Sequence, residues 1–207
     1  MSDSKEGPHV EGRTVPSAFQ VQLRGTQTVQ CNFDRGLDKG ARRVNFTAGF
    51  DFPTEAYIRA YFMDRQQLIS LYDAGIDPYS LYPVEEKNPV SVATVGPVKI
   101  AISIESPIGL SERKDIPLPI LGVTLEPVWK GHVSELKQLI VYVPEGIKLD
   151  LCDHKFEQVS LGAKYAKKGY TAYKLASTDI INERIQRYPY QSFRCAIVSS
   201  DLSLIHI

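Results

Sequence analysis

The most reactive side chains in the sequence gather around position 152. Asp150, Cys152, Asp153 and His154 form a local cluster with the chemistry of metal ligands or nucleophiles. Cys152-x-His154 supplies two ligands where a zinc site needs four at suitable spacing, so no metal site is assigned. On a strand, Cys152 and His154 share a face, as a thiolate and its base must. The plainer reading is a polar strand end running into a loop. Cys195 lies 43 positions beyond Cys152, and both fall in predicted strands. Two readings stand side by side: a disulfide tying those strands, or two separate buried thiols, which are common core residues. Closing a loop of that length would stabilise a domain by roughly 3–4 kcal/mol. Cys31 shares an apolar alternation with Val29 and Phe33 and reads as a buried thiol.

Other chemistry is sparse. The chain has no Gly-rich phosphate loop, no Gly-x-Ser-x-Gly elbow and no His-Glu-x-x-His pair. No catalytic or cofactor-binding residue is assigned, and no cofactor is expected. Asn45-Phe46-Thr47 is an N-glycosylation sequon, with Asn45 on the solvent side of its expected strand and Phe46 on the core side. Of the 11 tyrosines, seven cluster at 79–82, 165–173 and 188–190. There they either line a binding surface, offering contact area at low entropic cost, or cap strand ends.

The elements that must position these residues alternate apolar and polar with a period of two, the mark of half-buried strands. Phe19, Val21 and Leu23 show it first, then Val29, Cys31 and Phe33, and most clearly Val44, Phe46, Ala48, Phe50 and Phe52. AYIRAYFM, residues 56–63, suits strand or helix. Residues 64–74 read as a short helix, with Asp64 as N-cap, Gln67 at the capping-box position, Leu68, Leu71 and Tyr72 on one face and Gly75 as terminator. The Pro-rich stretch DPYSLYPVEEKNP reads as a linker. Beyond it come Val98 to Ile104, Leu121 to Leu125, Leu139 to Val143, Ile147 to Leu151, Tyr170 to Leu175 and Ser192 to Val198. Pro144-Glu145-Gly146 reads as the tight turn of a hairpin, with a sheet-crossing arch as its alternative. Thr178 to Arg187 suits a short helix or a loop.

Strands at this spacing, without long helices between them, predict a mainly β fold, an antiparallel sandwich rather than a parallel α/β sheet. Lys and Arg number 24, matched by 24 Asp and Glu. That balance argues against an electrostatic grip on nucleic acid. No apolar run approaches the roughly 18 residues of a spanning helix.

The stretches PVKIAISIES, LGVTLEPVWKG, LKQLIVYVPEGIKLDLCDHKF and YQSFRCAIVSSD resemble the immunoglobulin-like β-sandwich repeats of uncharacterised archaeal surface proteins. That resemblance implies a disulfide between Cys152 and Cys195, although Trp129 precedes both cysteines where the antibody pattern sets its Trp between them. It implies no catalytic residues. On this reading residues 1–16 are a flexible segment and 17–88 an incomplete β-rich unit carrying the short helix. Residues 89–201 are the immunoglobulin-like sandwich. Residues 202–207, LSLIHI, match one translation frame of the mosaic-end adapter of transposon-based sequencing libraries, the alternative being a native apolar edge strand. They are expected to be a non-native tail, with the natural protein continuing beyond Asp201 and His206 set aside from site reasoning.

The expected function is a non-enzymatic structural or adhesion module of a cell surface or envelope. Its expected partners are neighbouring domains of the same longer chain or other surface proteins. Two other classes stand beside it: a cytoplasmic or virion β-sandwich assembly protein, and a fragment of a hydrolase whose site residues lie outside this chain.

Overall fold

The computed structural model describes residues 12–15, 28, 30–33, 49–82, 84, 86–111, 117–130, 132–160, 167–185, 187–188 and 190–199. The strand expected at 19–23, the start of the one at 44–52, Asn45 and residues 202–207 lie outside them. The protein is mainly β, with antiparallel sheets and α-helices at two places. Its contacts group it into two compact units, Met1–Phe50 and Asp51–Ile207.

In the first unit, β1 (Gly12–Val15) pairs antiparallel with β2 (Gln30–Phe33), setting Thr14 opposite Cys31. The alternation around Cys31 thus becomes a strand. Residues 49–52 do not: they carry no strand, and Phe50 and Phe52 are exposed.

The second unit opens with two short strands where the sequence allowed strand or helix. β3 (Ala56–Tyr57) pairs antiparallel with β5 (Val92–Ala93). β4 (Phe62–Asp64) runs parallel to β7 (Ile108–Leu110), an exception to the antiparallel expectation. Residues 51–88 therefore share hydrogen-bonded pairs with the chain beyond 89. Helix α1 (Arg65–Asp73) begins where Asp64 Oδ1 accepts from the Gln67 N–H at 2.9 Å. It ends in a Schellman motif: Ile76 N–H donates to Leu71 O at 2.9 Å and Gly75 N–H to Tyr72 O at 3.0 Å, with Gly75 at φ +68°. Leu68 is buried, but Tyr72 is exposed, so the apolar face is narrower than the spacing suggested. A Cβ at Gly109 of β7 would stand 3.0 Å from Leu68 Cδ2, so glycine is what lets α1 lie so close.

The larger sheets take the remaining strands: β6 (Val98–Ser103), β8 (Ile120–Pro127), β9 (Ile140–Pro144), β10 (Ile147–Asp150), β11 (Phe156–Val159), β12 (Tyr170–Leu175) and β13 (Gln191–Ser199). Their order is β10-β13-β8-β6 in a four-stranded sheet and β11-β12-β9 in a three-stranded one. Each neighbouring pair is antiparallel. Alternation sets Leu121, Val123 and Leu125 of β8 and Phe193, Cys195 and Ile197 of β13 inward, with Phe193 opposite Val123. One buried cluster joins these side chains, Cys195 apart, to Val143, Tyr173 and Leu175 of the three-stranded sheet and to Leu139 just before β9. Burying a side chain such as Phe193 contributes roughly 2–3 kcal/mol.

Pro144-Glu145-Gly146 is not the turn of a hairpin. β9 pairs with β12 and β10 with β13, so the chain passes from one sheet to the other, as a sheet-crossing arch does. Gly146 takes φ +86°, open to glycine at little cost, and Glu145 N–H donates to Gly169 O at 3.1 Å. Val143 before the arch and Ile147 after it enter the same buried cluster from different sheets.

Where one short helix was expected, the described residues form two α-helices, since residues 178–187 supply α2 (Asp179–Ile185). Ile181 is 1% exposed. Asn182 clamps Leu136, its Oδ1 accepting from the Leu136 N–H at 2.7 Å and its Nδ2 donating to Leu136 O at 3.4 Å.

Candidate functional site

The Asp150–His154 cluster lies where the chain leaves β10. Asp150 Oδ1 accepts from the N–H of Leu151 at 2.8 Å, and Leu151 turns out of the ladder at φ +45°, 77% exposed. The expected inward alternation of Ile147, Leu149 and Leu151 thus stops one residue short, because the kink points Leu151 at solvent. Cys152 follows, half-buried, and its sulfur stands at disulfide-bonding distance from that of Cys195, which is buried on β13. The Cα atoms are 4.0 Å apart. Cys152 stands two residues past the end of β10, the sheet neighbour of β13, so the pair ties β13 to the segment that leaves the strand beside it.

Asp153 fastens the same turn. Its N–H donates to Arg194 O at 3.0 Å, and its Oδ1 accepts from the Arg194 N–H at 3.0 Å. The His154 ring leans on Phe193, centroids 5.5 Å apart, and Phe156 meets Phe193 edge-on at 6.4 Å. Each member of the cluster therefore has a structural partner. Cys152 faces a sulfur, and His154 faces an aromatic ring. Among the described residues, no group of three or more His, Cys, Asp and Glu side chains is placed to hold a metal ion.

The aromatic near the cysteine pair is not Trp129, which follows β8 and is 55% exposed. It is Phe193, two residues before Cys195 on the same inward face. Strand alternation around Cys195 carried that signal in the sequence. The hold of Asp153 on Arg194 carried none, because it depends on the kink at Leu151.

A second candidate surface collects tyrosines. Asp77 opens a 3₁₀ turn (Pro78–Leu81), its Oδ1 accepting from the Tyr79 N–H at 3.0 Å. Lys87 lies 2.6 Å from the Asp77 carboxylate. That hydrogen bond, followed by the one from Tyr79, lowers the Asp77 pKa. Pro78 is buried, so part of the stretch read as a linker packs against the domain. Tyr79 meets Tyr61 edge-on at 5.9 Å and donates its hydroxyl to Ser106 Oγ at 2.7 Å. Burial raises the Tyr79 pKa above its ordinary value, aided by Tyr72, Tyr61 and Asp77 and opposed by the Ser106 hydrogen bond.

Tyr61, Met63, Pro78, Tyr79, Tyr82 and Pro107 line a cleft of about 110 Å³. A shallower depression of about 400 Å³ shares Pro78 and Tyr79 and is lined also by Tyr72, Ile76 and Asp77. The first is well below the roughly 300 Å³ at which small-molecule sites begin, and suits at most one side chain. Tyr170, Tyr188 and Tyr190 are exposed, as strand-end tyrosines are.

No helix among the described residues is long and apolar enough to cross a membrane. No protein-family model, no curated protein and no solved structure matches the chain.

Proposed function

We propose that the chain is a non-enzymatic structural or adhesion module of a cell surface or envelope, built on an immunoglobulin-like β-sandwich. The observation that carries this reading is the placement of Cys152 and Cys195 at disulfide-bonding distance. Such bonds persist in oxidising surroundings outside the cytosol and are rare within it. Two features support the sandwich: one buried cluster drawing on both larger sheets, and an arch carrying the chain between them. The cysteine pair departs from the antibody domain, whose bond runs between sheets. The resemblance of the second half to archaeal surface-protein repeats points to the same location, with neighbouring domains or other surface proteins as partners.

The test is made in the cells that produce the protein. Thiols are trapped by acid quench and alkylation, and intact cells are labelled with a membrane-impermeant amine reagent. A surface module gives an oxidised Cys152–Cys195 pair and labelled lysines. A reduced pair in an unlabelled protein overturns the reading.

A further inference from the structure

Cys152 is held between two fixed points. On one side Asp150 is the last residue of β10 in ladder register, opposite Ala196. On the other, Asp153 is tied twice to the backbone of Arg194, at 3.0 Å each way. The chain has left the ladder at Leu151, so no regular strand carbonyl is offered to the Arg194 N–H. The Asp153 carboxylate takes that place, as a charged acceptor making a stronger bond than a neutral one. Residues 150 and 153 thereby bracket Cys152, as their partners 196 and 194 bracket Cys195.

We propose that Asp153 is a positioning residue for the thiol pair: it holds Cys152 opposite Cys195 before any bond joins them, making a preorganised dithiol. The oxidant is a small disulfide of the glutathione class, RSSR. Cys152 is the more accessible residue of the pair. Its thiolate, having lost its proton to solvent, attacks one sulfur of RSSR, forming Cys152–S–S–R and releasing RS⁻. The Cys195 thiolate then attacks the Cys152 sulfur and expels the second RS⁻. The two thiolates released take up the two protons lost. Overall, two protein thiols are oxidised to one disulfide and RSSR is reduced to two RSH. The equilibrium constant of this exchange is an effective concentration, and holding the thiols together in the reduced state raises it.

The full chain is equilibrated in graded mixtures of reduced and oxidised glutathione, quenched in acid, alkylated after denaturation and weighed intact. Oxidised protein takes a label on Cys31 alone, and reduced protein also takes labels on Cys152 and Cys195. Far-UV circular dichroism reports the fold. Asp153→Ala is expected to lower the effective concentration about tenfold. Asp153→Asn keeps an Oδ1 acceptor and is expected to stay within about threefold of the parent. An Asp153→Ala value within about twofold of the parent overturns the proposal, as does an Asn variant falling as far as the Ala variant. A measurement on the unsubstituted protein decides the matter even if Asp153→Ala does not fold. In chain reduced by dithiothreitol, the Asp153 and Arg194 amides should exchange hydrogen as slowly as in the oxidised chain. Free exchange would show the hold to be a consequence of the bond, and so overturn the proposal.

Discussion

The hydroxyl of Tyr79 donates to Ser106 Oγ at 2.7 Å, tying the 3₁₀ turn to the residue before Pro107. Tyr79→Phe keeps the ring and its edge contact with Tyr61 but leaves Ser106 without this donor. The expected cost is about 1 kcal/mol in urea unfolding. Burial of the phenol has a pH signature of its own. Aided by Tyr72, Tyr61 and Asp77 and opposed by the Ser106 bond, it keeps Tyr79 neutral in the folded protein above the ordinary tyrosine pKa of 10.0. The unfolded chain therefore loses that proton first, and this contribution, complete below pH 10, fades as pH rises through the folded pKa. Melting temperatures recorded above pH 10 should fall less steeply for Tyr79→Phe than for the parent.

The cysteine pair predicts a larger effect. Replacing both Cys152 and Cys195 by Ser removes a closed loop spanning 43 positions, and the chain-entropy relation gives a loss of about 4 kcal/mol. Equilibrium unfolding of the double variant against the oxidised parent measures it. Intact mass with and without reductant, on protein folded without reducing agent, should differ by two hydrogen atoms. An unchanged mass would remove the bond.

Gly109 predicts a packing defect. The methyl of Gly109→Ala would meet Leu68 Cδ2 at 3.0 Å, Arg65 Cγ at 3.3 Å and the Arg65 backbone at 3.4 Å. The Leu68 and Arg65 side chains must each give way by a few tenths of an ångström, while the helix backbone stays at ordinary contact distance, so the strain falls on the packing of α1 against β7. A loss of about 1–3 kcal/mol is expected, read by denaturant unfolding. Hydrogen exchange should rise in α1 before it rises in β13.

Phe193 predicts the opposite distribution. It is 1% exposed and carries both the His154 and the Phe156 contacts. Phe193→Ala should cost about 3–5 kcal/mol. Because Phe193 belongs to the buried cluster of both larger sheets, unfolding should remain a single transition across Asp51–Ile207 when followed by separate probes.

Much of this architecture is legible in the chain itself. Period-two alternation reveals β8 and β13, because half-buried strands must send every second side chain inward. Asp64 and Gly75 mark the ends of α1, because an oxygen three residues before a free N–H and a residue tolerant of positive φ are local requirements. The neutral charge balance and the lack of reactive motifs narrow the chemistry before any fold is drawn. The rest is decided by partners distant in sequence. Pro144-Glu145-Gly146 reads as a hairpin turn with an arch as its alternative, and only the pairing of β9 with β12 and β10 with β13 selects the arch. The sequence supplies Cys152 and Cys195, but that they meet depends on β10, which leads into Cys152, lying beside β13. Asp153 is an ordinary carboxylate in a polar run until the kink at Leu151 turns it toward Arg194. Local propensity acts over a few residues, whereas strand order is settled by the core as a whole, so the sequence determines the elements and the tertiary structure decides which of them meet.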